Sequence, residues 1–305
     1  MPSTALADQP TRDIAPLVGE GALTRNALRP SGLGTLVMRL RHSPTASIGV
    51  VVLAVWVVCA VAWPLFAPFD PNQFHTEARL QAPSLRFWFG TDQFGRDIFS
   101  RVLAGSRDIL VVAPLATLVG VVGGTCLGLV AGYYRGLVGE AVLRVMDAIM
   151  AFPIVPLTLL VVATLGPSLV NVILVIGLVF APRVARVVYA SVLSVRDLNY
   201  VAAARLRGEP GSYILFGEIL PTITAPIVVE ATVRVGYAVF TSATLSFLGL
   251  GVPPPAADWG LQIADARTFI QSAPWSVLFP AMAIASLVIA INLVSDGLQH
   301  EGAGD

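Results

Sequence analysis

The chain has 305 residues, 55% of them hydrophobic and 12% charged, with 19 basic residues balancing 19 acidic ones and a mean hydropathy of +0.77. A soluble domain carries about 25% charged residues, so this composition excludes a water-soluble globular protein and sets most of the chain against lipid or other apolar protein. Every basic residue is arginine, which excludes a phosphate-binding loop of the G-x-x-x-x-G-K-[ST] form and lysine Schiff-base chemistry, because both need the lysine amine.

Residues 1–42 are polar and broken by Pro2, Pro10, Pro16 and Pro30, and they are expected to form a flexible cytoplasmic tail. Crossing a bilayer core of about 30 Å takes about 20 apolar residues of helix. The first such stretch has no Asp, Glu or Arg between Ser43 and Phe69 and centres on residues 48–66. It begins too far along the chain for a cleaved signal peptide, so a retained first span is expected. Cys59 and Cys126 fall in apolar segments, and His42, His75 and His300 are scattered, so neither a disulfide framework nor a metal centre is expected.

An external loop is expected over residues 67–107, and it holds the densest motif in the chain, from Phe89 to Arg101. Gly90 and Gly95 permit tight turns around Thr91 and Asp92. Asp92, Arg96, Asp97 and Arg101 are expected to form a salt-bridged network near Ser100, and Asp97, Arg101 and Asp108 recur at roughly helical spacing towards the next span. A structural cap on that span and direct contact with a substrate are both open readings of the motif.

The second span is expected over residues 109–134. The apolar stretch of residues 148–182 is too long for one span, and Gly166-Pro167-Ser168 divides it into a third span over 142–165 and a fourth over 169–190. The fifth covers 224–247 and the sixth 275–294, giving six spans with both ends of the chain on one side. The arginine distribution (Arg29, Arg39, Arg41, Arg135, Arg183, Arg186, Arg196, Arg205 and Arg207 inside against Arg79, Arg86, Arg96, Arg101, Arg107 and Arg267 outside) favours cytoplasmic termini by a small margin, the first external loop being unusually basic for its side. Glu230 and Arg234 lie four apart on the fifth span and share a face, either as a self-neutralising structural pair or as the lining of a translocation path. Ser242 on that span and Asn292 on the sixth are further candidates for such a path, Asn292 being able to hydrogen-bond across helices.

Residues 191–221 form the expected cytoplasmic loop between spans four and five. Asp197 or Asn199 can cap a short helix through Leu206, Gly208 can end it in the left-handed conformation, Pro210 fits the first turn of a second helix, and Pro221 marks the entry to the fifth span. Ala202, Ala203 and Ala204 allow close approach by a partner surface, and Arg205 and Arg207 can pair with its acidic groups. An ordinary amphipathic connector would look much the same.

This loop resembles the E-A-A-x-x-x-G loop, followed by I-x-L-P or similar, of importer permeases of the ATP-binding-cassette class. The matching residues are Ala202-Ala203-Ala204, Gly208 and Ile219-Leu220-Pro221, with Ala202 standing in place of the glutamate. The Gly90–Arg101 segment is similar to the G-T-D-x-x-G-R-D-x-x-S-R signature of the dipeptide, oligopeptide and nickel permeases of the C type. The run Leu245-Ser246-Phe247-Leu248-Gly249-Leu250-Gly251, Pro253-Pro254 and Trp259-Gly260 resembles the same family's C-terminal block, with Thr241 and Ser242 where a glutamate is often found. The resemblance covers residues 36–298.

The resemblance implies an all-α membrane protein with six transmembrane helices in the type I ABC importer permease fold. The permease domain would span residues 43–298 and a short cytoplasmic tail 299–305. It implies a non-catalytic subunit, multi-pass in the cytoplasmic (inner) membrane of a prokaryote, importing dipeptides or oligopeptides. The implied partners are a second, related permease subunit, two ATP-binding subunits and an extracytoplasmic substrate-binding protein, with lipid around them and no nucleic acid. The chain would bind no cofactor of its own; ATP and Mg would sit on the ATPase subunits, coupled through Ala202–Gly208. Nickel or another small cargo is the alternative within the class. A stand-alone channel or ion-coupled carrier is the alternative outside it. An intramembrane enzyme lacks support, since neither H-E-x-x-H nor G-x-S-x-G occurs.

Overall fold

The computed structural model describes residues 44–134 and 136–300, so the tail expected over residues 1–42 and the residues beyond 300 lie outside the described residues. The elements are α1 (Pro44–Phe66), α2 (Ile98–Tyr133), α3 (Leu137–Met150), α4 (Ile154–Leu165), α5 (Leu169–Val195), α6 (Asn199–Leu206), α7 (Gly211–Thr222), α8 (Thr224–Phe247), α9 (Trp259–Ala266) and α10 (Trp275–His300). The β structure among the described residues is an isolated bridge between Thr91 and Asp97. Helices α1, α2, α5 and α10 are each long and apolar enough to cross a bilayer, and the count becomes six when the bent pairs α3–α4 and α7–α8 each make one span.

Packing fixes the direction of each crossing. The most extensive contact is between α2 and α5, where glycine recurs every fourth residue on α2. A Cβ at Gly120 would lie 2.9 Å from the Gly177 carbonyl, one at Gly124 2.5 Å from the Ala181 carbonyl, and one at Gly128 2.6 Å from the Ala185 carbonyl. Only glycine lets two helix backbones approach so closely, and the gain is dispersion contact along the whole seam. Partner positions rise together along both helices, so α2 and α5 run parallel. The chain must therefore recross between them, which makes α3–α4 a traverse. In contrast, α1 and α10 run antiparallel: a Cβ at Gly49 would meet the Ala290 carbonyl at 2.6 Å, while Trp56 Nε1 donates to Ser286 Oγ at 3.0 Å. The result is six crossings with a loop end, where residues 67–97 and α9 gather, and a hairpin end, where α6 and α7 sit. The start of α1 and the end of α10 share the hairpin end. Little of α1 is covered by the rest of the chain, since only Ala46 and Gly49 are buried.

Several expected boundaries move. Helix α2 starts at Ile98, not 109, because Asp97 caps it: Asp97 Oδ2 accepts from the Ser100 N–H at 2.9 Å and from Ser100 Oγ at 2.6 Å. The loop before it is therefore 67–97 rather than 67–107. The span expected over 142–165 is not continuous. Proline lacks a donor and disfavours helix in the residue before it, and Pro153 lies where α3 and α4 meet at 90°. Helix α5 continues to Val195, five residues past the expected 190, so the expected 191–221 loop starts later. Helix α10 runs to His300, beyond the expected end of both span and domain.

The candidate docking surface and the charged groups

The hairpin end is built on α6 and α7. Leu198 occupies the N-cap of α6 and makes no side-chain capping bond, so neither Asp197 nor Asn199 caps it as the sequence suggested; Asp197 lies 3.5 Å from Arg196 Nε instead. Gly208 does end the helix, with φ of +77°. Its N–H donates to the Arg205 carbonyl at 3.0 Å, and the Glu209 N–H donates to the Ala204 carbonyl at 3.2 Å. This pair of bonds is the Schellman arrangement, which satisfies carbonyls that a helix end otherwise leaves open. Pro210 is the N-cap of α7 rather than a residue of its first turn. Residues Ile214–Ile219 widen into a π-helix ahead of Pro221. Pro221 has no N–H for the carbonyl four residues back and its ring crowds that carbonyl, so a wider register relieves the conflict. Leu220 N–H accordingly bonds the Leu215 carbonyl, and the chain turns by 71° into α8.

Val201, Ala204, Ile214, Leu215 and Ile219 are buried with Leu129 of α2 and Val184, Val188 and Val192 of α5. Ala202 and Ala203 are exposed beside Leu206, which is 90% exposed. The hairpin thus presents a small-residue face outward while its other face is fastened to the parallel pair. Arg196 Nη1 adds a bond to the Gly132 carbonyl at 2.5 Å, and Arg205 lies 5.2 Å from the centre of the Tyr133 ring. Arg207 is 3.3 Å from Glu218 and 3.5 Å from Glu209. The arginines expected to await a partner's acids therefore already have contacts within the chain. The Tyr133 and Arg196 contacts were not legible in the sequence, since both tie elements distant along the chain.

At the loop end, the Gly90–Arg101 motif is almost wholly buried: Thr91, Asp97, Ser100 and Arg101 are each at most 1% exposed. Gly90 and Gly95 take φ of +75° and +76°. Asp92 accepts at Oδ1 from the N–H groups of Phe94 (2.8 Å) and Arg96 (2.9 Å), and at Oδ2 from Arg96 Nε (2.6 Å). The Thr91 hydroxyl donates to the Ala78 carbonyl and accepts from the Gln81 N–H at 2.9 Å.

The expected four-member salt-bridged network reduces to the Asp92–Arg96 pair, with Asp265 of α9 3.5 Å from Arg96. Asp97 serves as a helix cap, and Arg101 serves carbonyls: Nη1 donates to Pro71 O (3.0 Å) and Asn72 Oδ1 (3.1 Å), and Nη2 to Ala256 O (3.2 Å). On the far side, Gln262 Nε2 donates to the Arg101 and Ala257 carbonyls, and Trp259 Nε1 to the Val102 carbonyl at 2.9 Å. Burial pushes the Asp97 carboxyl up, against the lowering effect of Ser100. Burial also pushes Asp258, the α9 N-cap, up to about 6, although the Leu261 N–H it accepts works the other way. The motif is a buried clasp between two loops, not an open substrate surface. Trp259 and Gln262 form its other half; sequence reading matched Trp259-Gly260 as a block without seeing what it grips.

Of the path candidates, Glu230 and Arg234 are paired on α8, with Oε1 2.6 Å from Nε, and each side chain is 13% exposed. Ser242 is 2% exposed and packs inside the chain, which removes it from any path. Asn292 is exposed and lines a groove of about 490 Å³ with Val233, Gly236, Tyr237 and Phe240. Near the hairpin end, Arg186 of α5 pairs with Asp147 of α3.

Parallel glycine-zipped helices, a short surface hairpin at one end and a clasped loop end define a multi-pass membrane permease of the ATP-binding-cassette importer class. The chain belongs to the family described as binding-protein-dependent transport system inner membrane component, whose model matches residues 124–300; residues 33–83 match the N-terminal transmembrane domain of oligopeptide transport permease C. It is 40% identical to the dipeptide transport system permease protein of Alkalihalophilus pseudofirmus over 261 residues, 86% of each chain. It is 36% identical to the di/tripeptide transport system permease protein of Pseudomonas aeruginosa over 276 residues (88% of this chain, 91% of the relative). It is 39% identical to the glutathione transport system permease protein of Pectobacterium atrosepticum over 261 residues (85% and 86%). Such a permease works with ATPase and binding-protein partners.

Proposed function

We propose that the chain is one of two membrane-spanning subunits of an importer for dipeptides or short oligopeptides. It pairs with a related permease subunit, and two ATP-binding subunits dock at the hairpin end, which faces the cytoplasm together with both termini. A binding protein delivers cargo at the loop end. The chain performs no covalent chemistry, and ATP and Mg are held by the docked subunits.

The observation that carries this reading is the α6–α7 hairpin, with Ala202 and Ala203 exposed on one face and Val201 and Ala204 fastened to α2 and α5 on the other. Two small side chains admit a close-fitting partner, and the apolar fastening passes the partner's motion to the crossings. Closure of the ATPases on ATP would push α6, and with it α2 and α5, so that the path between the two permease subunits opens to the other side. The peptide relatives at 36–40% identity support the cargo.

Two measurements test it. Labelled di- and oligopeptides, with nickel alongside, are offered to cells lacking the gene and to complemented cells. Peptide uptake lost and restored supports the reading, while loss of nickel uptake alone replaces the cargo. In the purified complex, Ala203→Trp is expected to keep the ATPase subunits' hydrolysis and abolish uptake; full uptake by that variant would remove the docking role.

A further inference from the structure

Several charged contacts of the bundle join separate elements. Arg101 ties α2 to two loops, Arg96 reaches α9, and Arg186 ties α5 to α3. Glu230 and Arg234 instead pair within α8, four residues apart, and the pair reaches another helix through the Arg234 guanidinium, 6.0 Å from the centre of the Phe180 ring on α5. The ion pair itself holds no helices together. Its place is also costly, about 9 Å and 15 Å along α8 from Thr224 at the rise of an α-helix, within a span where charge is expensive. The Phe180 contact lies at the outer limit of about 6 Å for a cation–π interaction, so it offsets little of the desolvation of such a pair.

The pair is also incomplete. Both contacts within the pair use Glu230 Oε1, with Arg234 Nε and Nη2. Glu230 Oε2 and Arg234 Nη1 have no hydrogen-bond partner among the described residues, and part of each side chain stays exposed. Two turns from Glu230 on the same face stands Tyr237, 52% exposed, with the Arg234 guanidinium 5.3 Å from its ring centre. Tyr237 and Val233 line the groove between α8 and α10. An acceptor, a donor and an aromatic wall therefore meet beside an open groove in the membrane.

We propose that Glu230 and Arg234 form a site for the two charged ends of a dipeptide in transit, a proposal that rests on the peptide-import reading above. Glu230 takes the α-ammonium and Arg234 the carboxylate. Between cargoes they neutralise each other, so neither charge is left bare in the bilayer. Spacing selects the length of the cargo. Side chains four apart on a helix have Cβ atoms about 5–6 Å apart, and an extended dipeptide spans about 7 Å, against about 13 Å for a tetrapeptide. Only the shorter zwitterion engages both charges together.

The test uses the complete complex with its binding protein in proteoliposomes, comparing a radiolabelled dipeptide with a tetrapeptide. The Glu230→Gln/Arg234→Gln double variant is expected to lose dipeptide uptake by about tenfold or more, the value of a charge-assisted hydrogen bond, and to lose less for the tetrapeptide. A Glu230→Leu/Arg234→Leu variant, better suited to the bilayer, repeats the measurement should the first assemble poorly. Unchanged dipeptide uptake, or an equal loss for both lengths, overturns the site. So does failure of both variants to co-purify with the second permease subunit, which would make the pair a subunit contact. Absence of ATP-driven peptide uptake by the unaltered complex would instead overturn the import reading itself.

Discussion

Arg101 and Ala256 lie 155 residues apart in the chain, yet the guanidinium Nη2 of one donates to the carbonyl of the other at 3.2 Å. The same guanidinium holds Pro71 and Asn72 through Nη1, so one planar group reads acceptors from both loops. Arg101→Ala removes these bonds and leaves the buried Pro71 carbonyl and the half-buried Ala256 carbonyl unpaired, a cost of about 3 kcal/mol. Arg101→Lys is expected to recover little of it, since one ammonium cannot reproduce the fork. The unfolding midpoint of the purified protein in nanodiscs measures both.

The α2–α5 seam predicts a sharp contrast between neighbours. Gly124→Leu forces a side chain against the Ala181 carbonyl and the Val184 Cβ, 2.5 and 2.6 Å from where its Cβ must sit. Gly123→Ala meets only the Ala181 Cβ at 3.7 Å, an ordinary contact. The first should abolish recovery of monodisperse protein after solubilisation, and the second should leave it unchanged, as read by size-exclusion chromatography.

Asp258 gives a pH dependence. Its carboxyl titrates near 6 when folded, raised by burial from 3.8, so the folded chain holds this proton more tightly than the unfolded chain does. Stability from this group is therefore full below about pH 4 and declines as pH rises to about 6, by about 3 kcal/mol in all. Asp258→Asn keeps a good capping residue and cannot ionise. Between pH 4 and 6 its unfolding midpoint should lack this fall, leaving the variant the more stable at pH 7.

At Gly208, an added Cβ would meet no atom within 4 Å, yet φ is +77°. Gly208→Ala therefore costs only the left-handed backbone strain, about 1–2 kcal/mol. The loss falls on the end of α6. Hydrogen exchange at the Gly208-position and Glu209 amides should quicken while the amides of α2 and α5 do not change.

The sequence was most informative where one residue type had one use. Composition and apolar length gave the crossings, because a bilayer imposes a single length rule on every helix. Gly208 was readable because only glycine suits that φ. Asp97 was misjudged because a carboxylate near arginines reads equally well as a pair or as a cap, and only the distances to Ser100 decide. The bend at Pro153 was missed because the residues on both sides are apolar enough to continue. Ser242 looked polar enough for a path, but its burial depends on neighbours drawn from elsewhere in the chain. The Glu230–Arg234 pair was legible as a pair; its open groups and its groove were not.

The glycine seam between α2 and α5 also has a mechanical side. With backbone lying against backbone at Gly120, Gly124 and Gly128, there is almost no side-chain cushion to compress between the two helices. The pair should behave as one stiff beam, bearing the hairpin on Leu129, Val188 and Val192 at one end and the Arg101 clasp at the other. A beam of that kind tilts rather than flexes, so a small displacement imposed on α6 is delivered at the opposite face of the membrane instead of being absorbed along the way.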